Sequence, residues 1–334
     1  MPRYFLDLPE ESAPVPWDVH GGPRPERADT RYFGAAFVAM ERGLRDPEID
    51  VYLTWDTERL PAYGPRVVAV LLGDEDGRIP RYTDRVRAVF KSYGLRPQPG
   101  TRLRGASPLT AALELAQRGV HWLRWLPGGV AQAKARLART APPGVMVIPL
   151  GTYNQVELPV KRIAERPTDL FFAGSVEHQA GLRYRLASPK ARSRRDMLAA
   201  VDEIARRRPG LRTDIRVTEG FTSSEDATDG YSQALMDARV CLAPRGNSAE
   251  TFRVLEGLRA GCVVVSERLP PFWFYEGGPM LQIDSWRQLG DVLDPLLDDP
   301  AELARLHAAS LAWWREKCSE EALGRLMAER LNRL

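Results

Sequence analysis

The sequence predicts an α/β protein made of two domains. Its 334 residues exceed the size at which one hydrophobic core usually keeps growing. The hydrophobic fraction of 44% and the charged fraction of 27% are those of an ordinary globular protein. In both halves short apolar runs alternate with segments of helical periodicity, a pattern typical of parallel sheets covered by helices. We place the domains at residues 1–155 and 156–316, with a C-terminal helix, 317–334, that packs back on the first domain.

Apolar runs in the N-terminal half have the length and residue types of strands. They lie at residues 3–8, 49–55, 66–75, 86–94 and 144–151. Helical spacing is found at residues 31–44, 109–119 and 129–139. The intervening segment 9–30 is rich in proline and has no regular periodicity. Loops of this length are usually functional or disordered, so we expect a functional loop or a disordered one here.

The C-terminal half repeats the alternation of strands and helices. Strands are predicted at residues 168–175, 212–220, 238–243, 262–266 and 279–284. Helices are predicted at residues 193–207, 230–238, 252–260, 285–297, 300–318 and 320–334. Two of these strands are continuous apolar runs, as expected for strands that are buried on both faces.

Composition excludes several classes of function. A net charge of +3 is small for this length and favours neither nucleic acid nor a membrane surface as a partner. The three cysteines show no metal-ligand spacing, and their odd number suits a reducing compartment. We find no signal peptide and no apolar run long enough to span a bilayer. We therefore expect a cytoplasmic protein, free or peripheral to the membrane.

Residues 241–267 form a strand, a glycine-containing loop, a helix and a second strand. Phe252, Leu255 and Leu258 mark one face of the helix, and Gly261 is placed to end it. A strand, helix and strand in this order make a parallel crossover. The loop 244–251 therefore lies at the carboxyl edge of the sheet, where open α/β sheets bind ligands.

The chemistry of this loop suits a phosphate. Gly246 allows close backbone approach, Ser248 can cap the helix, and free N–H groups of the first turn favour an anion. Arg253 can add a charge-assisted bond, and Glu256, about 5 Å further along the helix axis, can accept hydrogen bonds from a ribose diol. Neither a P-loop nor a dinucleotide fingerprint is present. The alternative is an ordinary capped helix with a solvated ion pair between Arg253 and Glu256.

Residues 231–272 resemble the C-terminal signature of the exostosin-like glycosyltransferases. The matching positions are Tyr231, Leu242, Pro244, Gly246, Arg253, Glu256, Gly261, Cys262, Pro271 and Phe272. The segments 170–175 and 283–289 are also similar to family elements, so the resemblance covers roughly residues 168–320. The sequence departs from the family at Val263-Val264-Val265, where Pro-Val is frequent, and its N-terminal half matches only vaguely.

The resemblance implies a GT-B fold, in which two Rossmann-like domains face each other across a cleft. It implies that a nucleotide-sugar donor, UDP-linked, binds the C-terminal domain and that a glycan or small-molecule acceptor binds the N-terminal one. The reaction would transfer a sugar to a hydroxyl group. No metal or other cofactor is expected, since this fold generally stabilises the leaving diphosphate with helix N-termini and basic side chains.

We assign candidate roles to several further residues on this basis. Asn247, with its two neighbours in the loop, is a candidate for diphosphate contact, and Arg245 for neutralising the leaving group. Gly174 and Ser175 form a second glycine loop facing the diphosphate or the acceptor, and Arg194 or Arg195 matches an arginine of the family. Residues 218–224 are candidates for framing the base. The aromatic segment 270–278 either stacks on a ligand or covers the core.

An inverting transfer needs a proton acceptor within hydrogen-bond reach of the acceptor hydroxyl. The candidates follow predicted strands of the N-terminal half: Asp18 and His20 in the proline-rich loop, and Asp74 and Glu75 after the third strand. A retaining reaction would need none of them as a base.

Two other functions agree with the same pattern. A nucleotide-sugar epimerase or hydrolase of this fold would hold the same donor without an acceptor. A non-catalytic partner would bind a nucleotide sugar or a glycan and turn over neither. The sequence leaves the sugar, the acceptor and the oligomeric state open.

Overall fold

The structure, a computed structural model, describes residues 1–24, 27–96, 108–125, 144–153, 155–176, 189–218 and 225–334. The chain divides into two compact units. The first comprises Met1–Gln98, Arg118–Gly151 and Lys317–Leu334, and the second comprises Pro99–Gln117 and Thr152–Glu316. Two separate, mostly parallel sheets are present, with helices following their strands. The predicted α/β class is therefore confirmed.

The sheet of the first unit has six strands. They are β1 (Arg3–Asp7), β2 (Val15–Pro16), β3 (Asp50–Thr54), β4 (Gly64–Leu71), β5 (Val86–Lys91) and β6 (Val145–Val147). Their order across the sheet is β2-β1-β3-β4-β5-β6, and all pairs are parallel except β1 with β2. The sequence did not predict β2, because two residues are too few to show an alternating pattern.

The sheet of the second unit has five strands, all parallel. They are β7 (Thr168–Gly174), β8 (Thr213–Val217), β9 (Ala238–Ala243), β10 (Val263–Glu267) and β11 (Leu281–Ile283). The spatial order is β11-β10-β9-β7-β8. Each of these strands was predicted, and β9 and β10 are almost completely buried, as their continuous apolar sequence indicated.

The described residues also form eight α-helices. They are α1 (Asp29–Glu41), α2 (Pro108–Trp125), α3 (Pro189–Arg207), α4 (Glu225–Met236), α5 (Phe252–Arg259), α6 (Leu289–Leu297), α7 (Pro300–Trp313) and α8 (Glu320–Leu331). Ile163–Glu165 and Trp286–Gln288 are short 3₁₀ helices, and Trp314–Cys318 is a π-helical turn. The helix expected at 129–139 lies outside the described residues.

The C-terminal helix α8 packs against α1 in the first unit. The hydroxyl of Tyr32 donates a hydrogen bond to the carbonyl oxygen of Cys318 (2.6 Å), and Tyr32 is fully buried. Arg42 pairs with Glu321 at 3.0 Å on the exposed side of the same contact. These contacts attach the last residues of the chain to the unit that contains its first residues.

A buried arginine secures the amino ends of the central strands in the second unit. Arg166, 1% exposed, donates hydrogen bonds to the carbonyl oxygens of Ala238 (2.7 Å) and Ala260 (2.5 Å). Ala260 directly follows α5, so the guanidinium satisfies a carbonyl that the helix leaves without an intrahelical partner. The helix α5 is thereby held between the two strands that it connects.

Candidate functional site

Three neighbouring strands of the second unit end at the same edge of their sheet. The register pairs Leu170 of β7 with Val240 of β9, and Val240 with Val263 of β10. Because the strands are parallel, the residues that follow β7, β9 and β10 lie at one carboxyl edge. The loop 244–251 begins there and leads into α5, as the sequence predicted.

The side chain of Arg253, in the first turn of α5, lies over the end of β7. Its Nε donates to the carbonyl oxygen of Ala173 (2.5 Å), and one terminal nitrogen donates to Thr251 Oγ1 (3.3 Å). The guanidinium carbon is 5.2 Å from the ring centroid of Phe172. Within the described part of the chain, Arg253 forms no ion pair with a carboxylate. Its positive charge is therefore not neutralised by a carboxylate of these residues.

Gly174 makes room for this guanidinium. Its φ of +155° lies in a region that side chains rarely adopt, and a Cβ built there would be 2.1 Å from Nη2 of Arg253. The same position would be 3.5 Å from Nη1 of Arg194. The glycine predicted as part of a ligand loop therefore has a definite local role, which is to let Arg253 approach the strand end.

The structure distinguishes the two adjacent arginines of α3. Arg194 is 3% exposed, and its Nη1 donates to the carbonyl oxygen of Ser175. Its guanidinium carbon is 6.0 Å from the ring of Phe172, the ring that also lies under Arg253. Arg195, the next residue of the helix, is exposed. Two guanidinium groups, those of Arg194 and Arg253, thus converge on the carboxyl end of β7.

The loop after β9 is held by a buried carboxylate. Glu267, the last residue of β10, accepts hydrogen bonds from the backbone N–H of Arg245 (3.0 Å) and from the hydroxyl of Ser193. Trp286 donates its indole N–H to the same hydroxyl (3.0 Å). Arg245 is 2% exposed and donates to the carbonyl oxygen of Asn247 (3.2 Å). The sequence did not identify Glu267, whose role depends on a loop 22 residues away.

One detail of the predicted loop is wrong. Ser248 does not cap α5, because its hydroxyl accepts a hydrogen bond from the N–H of Glu250 (3.0 Å) instead. The N-cap residue is Thr251, without a capping bond from its side chain. Gly246 and Asn247 lie in the loop as expected, and Gly261 follows the helix with a φ of +71°. The predicted contacts of this loop with a diphosphate remain a prediction.

Glu256 is buried, which excludes the solvated ion pair with Arg253 that was the alternative for this helix. One carboxylate oxygen accepts from the hydroxyl of Tyr231 (2.6 Å), and the other accepts from the backbone N–H of Tyr153 (3.2 Å). Burial, together with the nearby carboxylate, raises the pKa of Tyr231 well above its usual value. This pairing places Tyr231 and Glu256 in direct contact within the second unit. It leaves the ribose contact a prediction.

The candidate bases of the first unit do not share one environment. His20 is exposed and lies 2.9 Å from Glu41, and its backbone N–H donates to the exposed carboxylate of Asp18. Asp74 is buried and pairs with Lys91 (3.1 Å) and Arg78 (2.9 Å). Glu75 is half-buried after β4. Asp74 is engaged in a structural ion-pair cluster, which makes it the least available of the four.

The remaining candidate segments contribute less to this edge. Phe274 and Tyr275 of the aromatic segment are buried and contact each other at 4.5 Å, which favours a role in covering the core. Most of segment 218–224 lies outside the described residues. Within the described ranges, no group of His, Cys, Asp and Glu side chains could hold a metal ion. No helix described there is long and apolar enough to cross a membrane.

No family model and no curated protein matches this sequence. Among solved structures, that of the GtfA/B complex is similar to the structure of this chain, with 13% sequence identity and a TM-score of 0.44. The match covers 80% of this chain and 57% of that one. A variant of S. aureus TarM in complex with Fondaparinux, alpha-GlcNAc-glycerol and UDP gives 10% identity and a TM-score of 0.46 over 80% and 55%. Sucrose-phosphate synthase from Thermosynechococcus elongatus gives 13% and 0.43 over 86% and 73%.

The chain spans a little over half the length of the first two of these proteins. All three similarities are weak, with TM-scores below 0.5, and they add no information about a substrate. The resemblance to the exostosin-like family is carried by the residues of the motif alone and remains a prediction.

Proposed function

We propose that this protein is a glycosyltransferase that moves a sugar from a nucleoside diphosphate sugar, a UDP-sugar, to a hydroxyl group of a glycan or small molecule. The GT-B arrangement and the exostosin-like resemblance belong to this proposal. The donor site is the carboxyl edge of the second sheet, where β7 and β9 end. The acceptor binds the first unit.

The observation that carries the proposal is the convergence of two guanidinium groups on one strand end. Arg253 and Arg194 both lie within about 6 Å of Phe172, beside a glycine that leaves them space. Arg253 has no carboxylate partner in the described part of the chain. An unneutralised guanidinium at the N-terminal turn of a helix is suited to binding an anion, because the helix dipole and the charge act together.

These groups would act on the leaving diphosphate. Negative charge develops on the diphosphate oxygen as the bond to the sugar breaks, and fixed cations at this position lower the barrier. Arg253 and Arg194 supply that charge, with the loop residues 245–248 beside them. The proposed reaction needs no metal ion, since the guanidinium groups fill its electrostatic role. Glu256 is proposed to contact the ribose while keeping its bond to Tyr231.

Arg253 gives a sharper test of the donor site than Glu256. Replacing Glu256 would also remove the partner of the buried Tyr231 hydroxyl, so a loss of binding would not separate contact from stability. We expect Arg253→Ala to weaken UDP binding by tenfold to about a hundredfold, the effect of losing a charge-assisted contact. Isothermal titration calorimetry measures this, with thermal melting to confirm that the variant is folded.

Arg195→Ala is the matched control, because it removes the same charge from the adjacent residue on the exposed side of α3. Equal UDP affinity in wild type and Arg253→Ala would refute the donor site.

Turnover of a UDP-sugar only when an acceptor is present supports the transferase. Turnover without an acceptor would indicate the epimerase or hydrolase, and binding without turnover would indicate a non-catalytic partner.

A further inference from the structure

A cavity lies within the first unit, at the carboxyl ends of β1 and β3. Its volume is about 570 Å³. It is lined by residues 7–9, 11–14 and 55–61 and by Arg78. The two loops that form it follow adjacent parallel strands, since β1 pairs with β3 along its whole length. A cavity of this size, at this edge of an open α/β sheet, is large enough for a small ligand.

Most charged side chains of the cavity wall are already paired. Arg59 lies 3.4 Å from Asp56, within its own turn. Glu58 pairs with Arg81 at 2.7 Å, outside the cavity wall, and Arg78 pairs with the buried Asp74 at 2.9 Å. These pairs leave two carboxylates of the wall, Asp7 and the exposed Glu11, without an ion pair among the described residues, and this excess of carboxylates disfavours an anionic ligand.

Unlike Arg59, Glu58 and Arg78, Asp7 has no ion-pair partner among the described residues. It is the last residue of β1, and its Oδ2 accepts a hydrogen bond from the hydroxyl of Thr54 (2.6 Å). Thr54 itself accepts from the N–H of Asp56 (3.1 Å), which fixes the direction of its hydroxyl. Within the described residues, Asp7 forms no ion pair and no hydrogen bond reaches its Oδ1. One carboxylate oxygen is thus oriented by the protein while the other is left to the cavity.

The chemistry of Asp7 suits a proton acceptor. Burial raises the pKa of its carboxyl above the usual value, and the Asp56 carboxylate raises it too, while Thr54 and Arg59 lower it. The charge of Asp7 in turn contributes to raising the pKa of Tyr52 and of Tyr82. A carboxylate whose pKa is raised accepts a proton more readily than an ordinary exposed one, which suits a general base.

We infer that this cavity binds a neutral polyhydroxylated ligand, a sugar or polyol, whose hydroxyl donates a hydrogen bond to Oδ1 of Asp7. Under the proposed function, on which this part rests, that ligand is the acceptor and Asp7 is the base. None of Asp18, His20, Asp74 and Glu75, the bases suggested by the sequence, lines this cavity.

The transfer step then balances as a direct displacement. The acceptor oxygen forms a bond to the anomeric carbon, and its proton passes to Oδ1 of Asp7. The bond from the anomeric carbon to the diphosphate oxygen breaks, and its electron pair leaves with the nucleoside diphosphate. The anomeric configuration is inverted.

The binding part is tested by saturation-transfer NMR on the full chain with methyl α-D-glucopyranoside, myo-inositol and glycerol as probes at millimolar concentration. We expect at least one probe to bind the wild type. Its affinity should fall about tenfold in Asp7→Asn, as expected for loss of a charge-assisted bond. Ala13→Trp, which puts a large side chain on the cavity wall, should abolish binding. Asp50→Asn, a carboxylate at the other end of the neighbouring strand, should leave it unchanged.

Absence of binding by all three probes would overturn the cavity assignment. Binding of ethanolamine in their place would show that Asp7 selects a cation, which also overturns it. Unchanged probe binding in Ala13→Trp would place the polyol elsewhere.

The catalytic part has a separate readout. With a UDP-sugar and an accepted polyol, Asp7→Asn should lower kcat by about 10²- to 10⁴-fold and remove the acid limb of the kcat/KM profile. UDP affinity by calorimetry should stay at the wild-type value. A wild-type pH profile in Asp7→Asn would refute the role as base. Failure of the wild type to bind UDP would instead refute the proposed donor site, so the two failures are distinguishable.

Discussion

The carboxyl edges of the two sheets present ionised groups of opposite sign. At the carboxyl edge of the first, Asp7 is a carboxylate without an ion pair among the described residues, and the cation Lys91 is neutralised by Asp74. At the carboxyl edge of the second, Arg253 is a guanidinium without a carboxylate partner in the described ranges. The carboxylate of Glu267 at the same edge accepts hydrogen bonds from the protein, one of them from the loop after β9. Similar topology therefore presents a free negative group in one unit and a free positive group in the other.

This difference shows that the sheet sets where the strand ends meet, whereas the residues around each edge set which charge is available there. Parallel strands bring their ends to one edge in both units, and this follows from the crossover topology. The sign of the charge that remains available depends on which ionised groups find a partner inside the protein.

The largest effect is expected where a charge pair of the first edge is buried. Lys91 is fully buried, 3.1 Å from Asp74, and also donates to the carbonyl oxygens of Ser92 (3.0 Å) and Gly94 (2.8 Å). Lys91→Met leaves a buried carboxylate with Arg78 as its remaining partner. We expect a loss of about 3–5 kcal/mol in the free energy of unfolding, measured by urea denaturation.

Lys161→Met is the control for this loss, because it removes the same side chain from a partly exposed pair with Asp237 in the second unit. Its cost should stay below about 1 kcal/mol. Similar losses in the two variants would contradict the view that burial makes the Lys91 pair important.

A smaller effect is expected at Gly174 in the second unit. A methyl group there would collide with the guanidinium of Arg253 and would place alanine at a φ of +155°. Gly174→Ala should therefore cost about 1–3 kcal/mol of stability and displace Arg253, with at least tenfold weaker UDP binding. Thermal melting and calorimetry measure the two effects.

Gly230→Ala serves as its control, since a Cβ at that helical position meets no atom within 4 Å. This variant should be as stable as the wild type or slightly more stable, because alanine favours the helix. Wild-type UDP affinity in Gly174→Ala would show that the position of Arg253 is not what the donor site requires.

The smallest effect is a pH dependence of opposite sign in the two units. The pKa of Asp7 is raised in the folded state, so its contribution to stability is present at low pH and is lost as the pH rises. Asp7→Asn should thus raise the melting temperature slightly at pH 7. The difference should vanish below about pH 4, near the pKa of an unfolded aspartate.

Asp169 provides the opposite case. Burial would raise its pKa, but hydrogen bonds from Arg212, together with the charges of Arg212 and Arg239, hold it below the usual value. Asp169→Asn should therefore lower the melting temperature at pH 7, by an amount that shrinks as the pH falls below about 4. Differential scanning calorimetry across pH compares the two variants. The same sign in both would contradict the assigned environments.

Much of the fold could be predicted from local patterns. The apolar runs of β9 and β10 and the helical spacing between them fix a parallel crossover, because both strands must be buried on two faces. Gly261 was identified as the end of the helix for the same kind of reason. The pair Val15–Pro16 was missed, since a two-residue strand is made only by its partner β1.

The functional edge was predicted less completely. The sequence located Arg253 and Glu256 but could not tell that the first has no carboxylate partner, whereas the second is buried against Tyr231. It could not separate Arg194 from Arg195, because adjacent residues of a helix differ only in the direction that they face. It gave no sign of Asp7, an ordinary residue at the end of a predicted strand.

By itself, then, the sequence determined the α/β class, the order of the strands along the chain and the loop that ends at the helix of residues 252–259. These depend on periodicity and on residue types within short segments. Only the tertiary structure decided which charges remain available at each sheet edge. That choice depends on contacts such as the ion pair of Lys91 with Asp74 and the hydrogen bond from the backbone N–H of Arg245 to Glu267. The members of each contact meet because the strands that carry them, or that lead to them, are packed in one sheet.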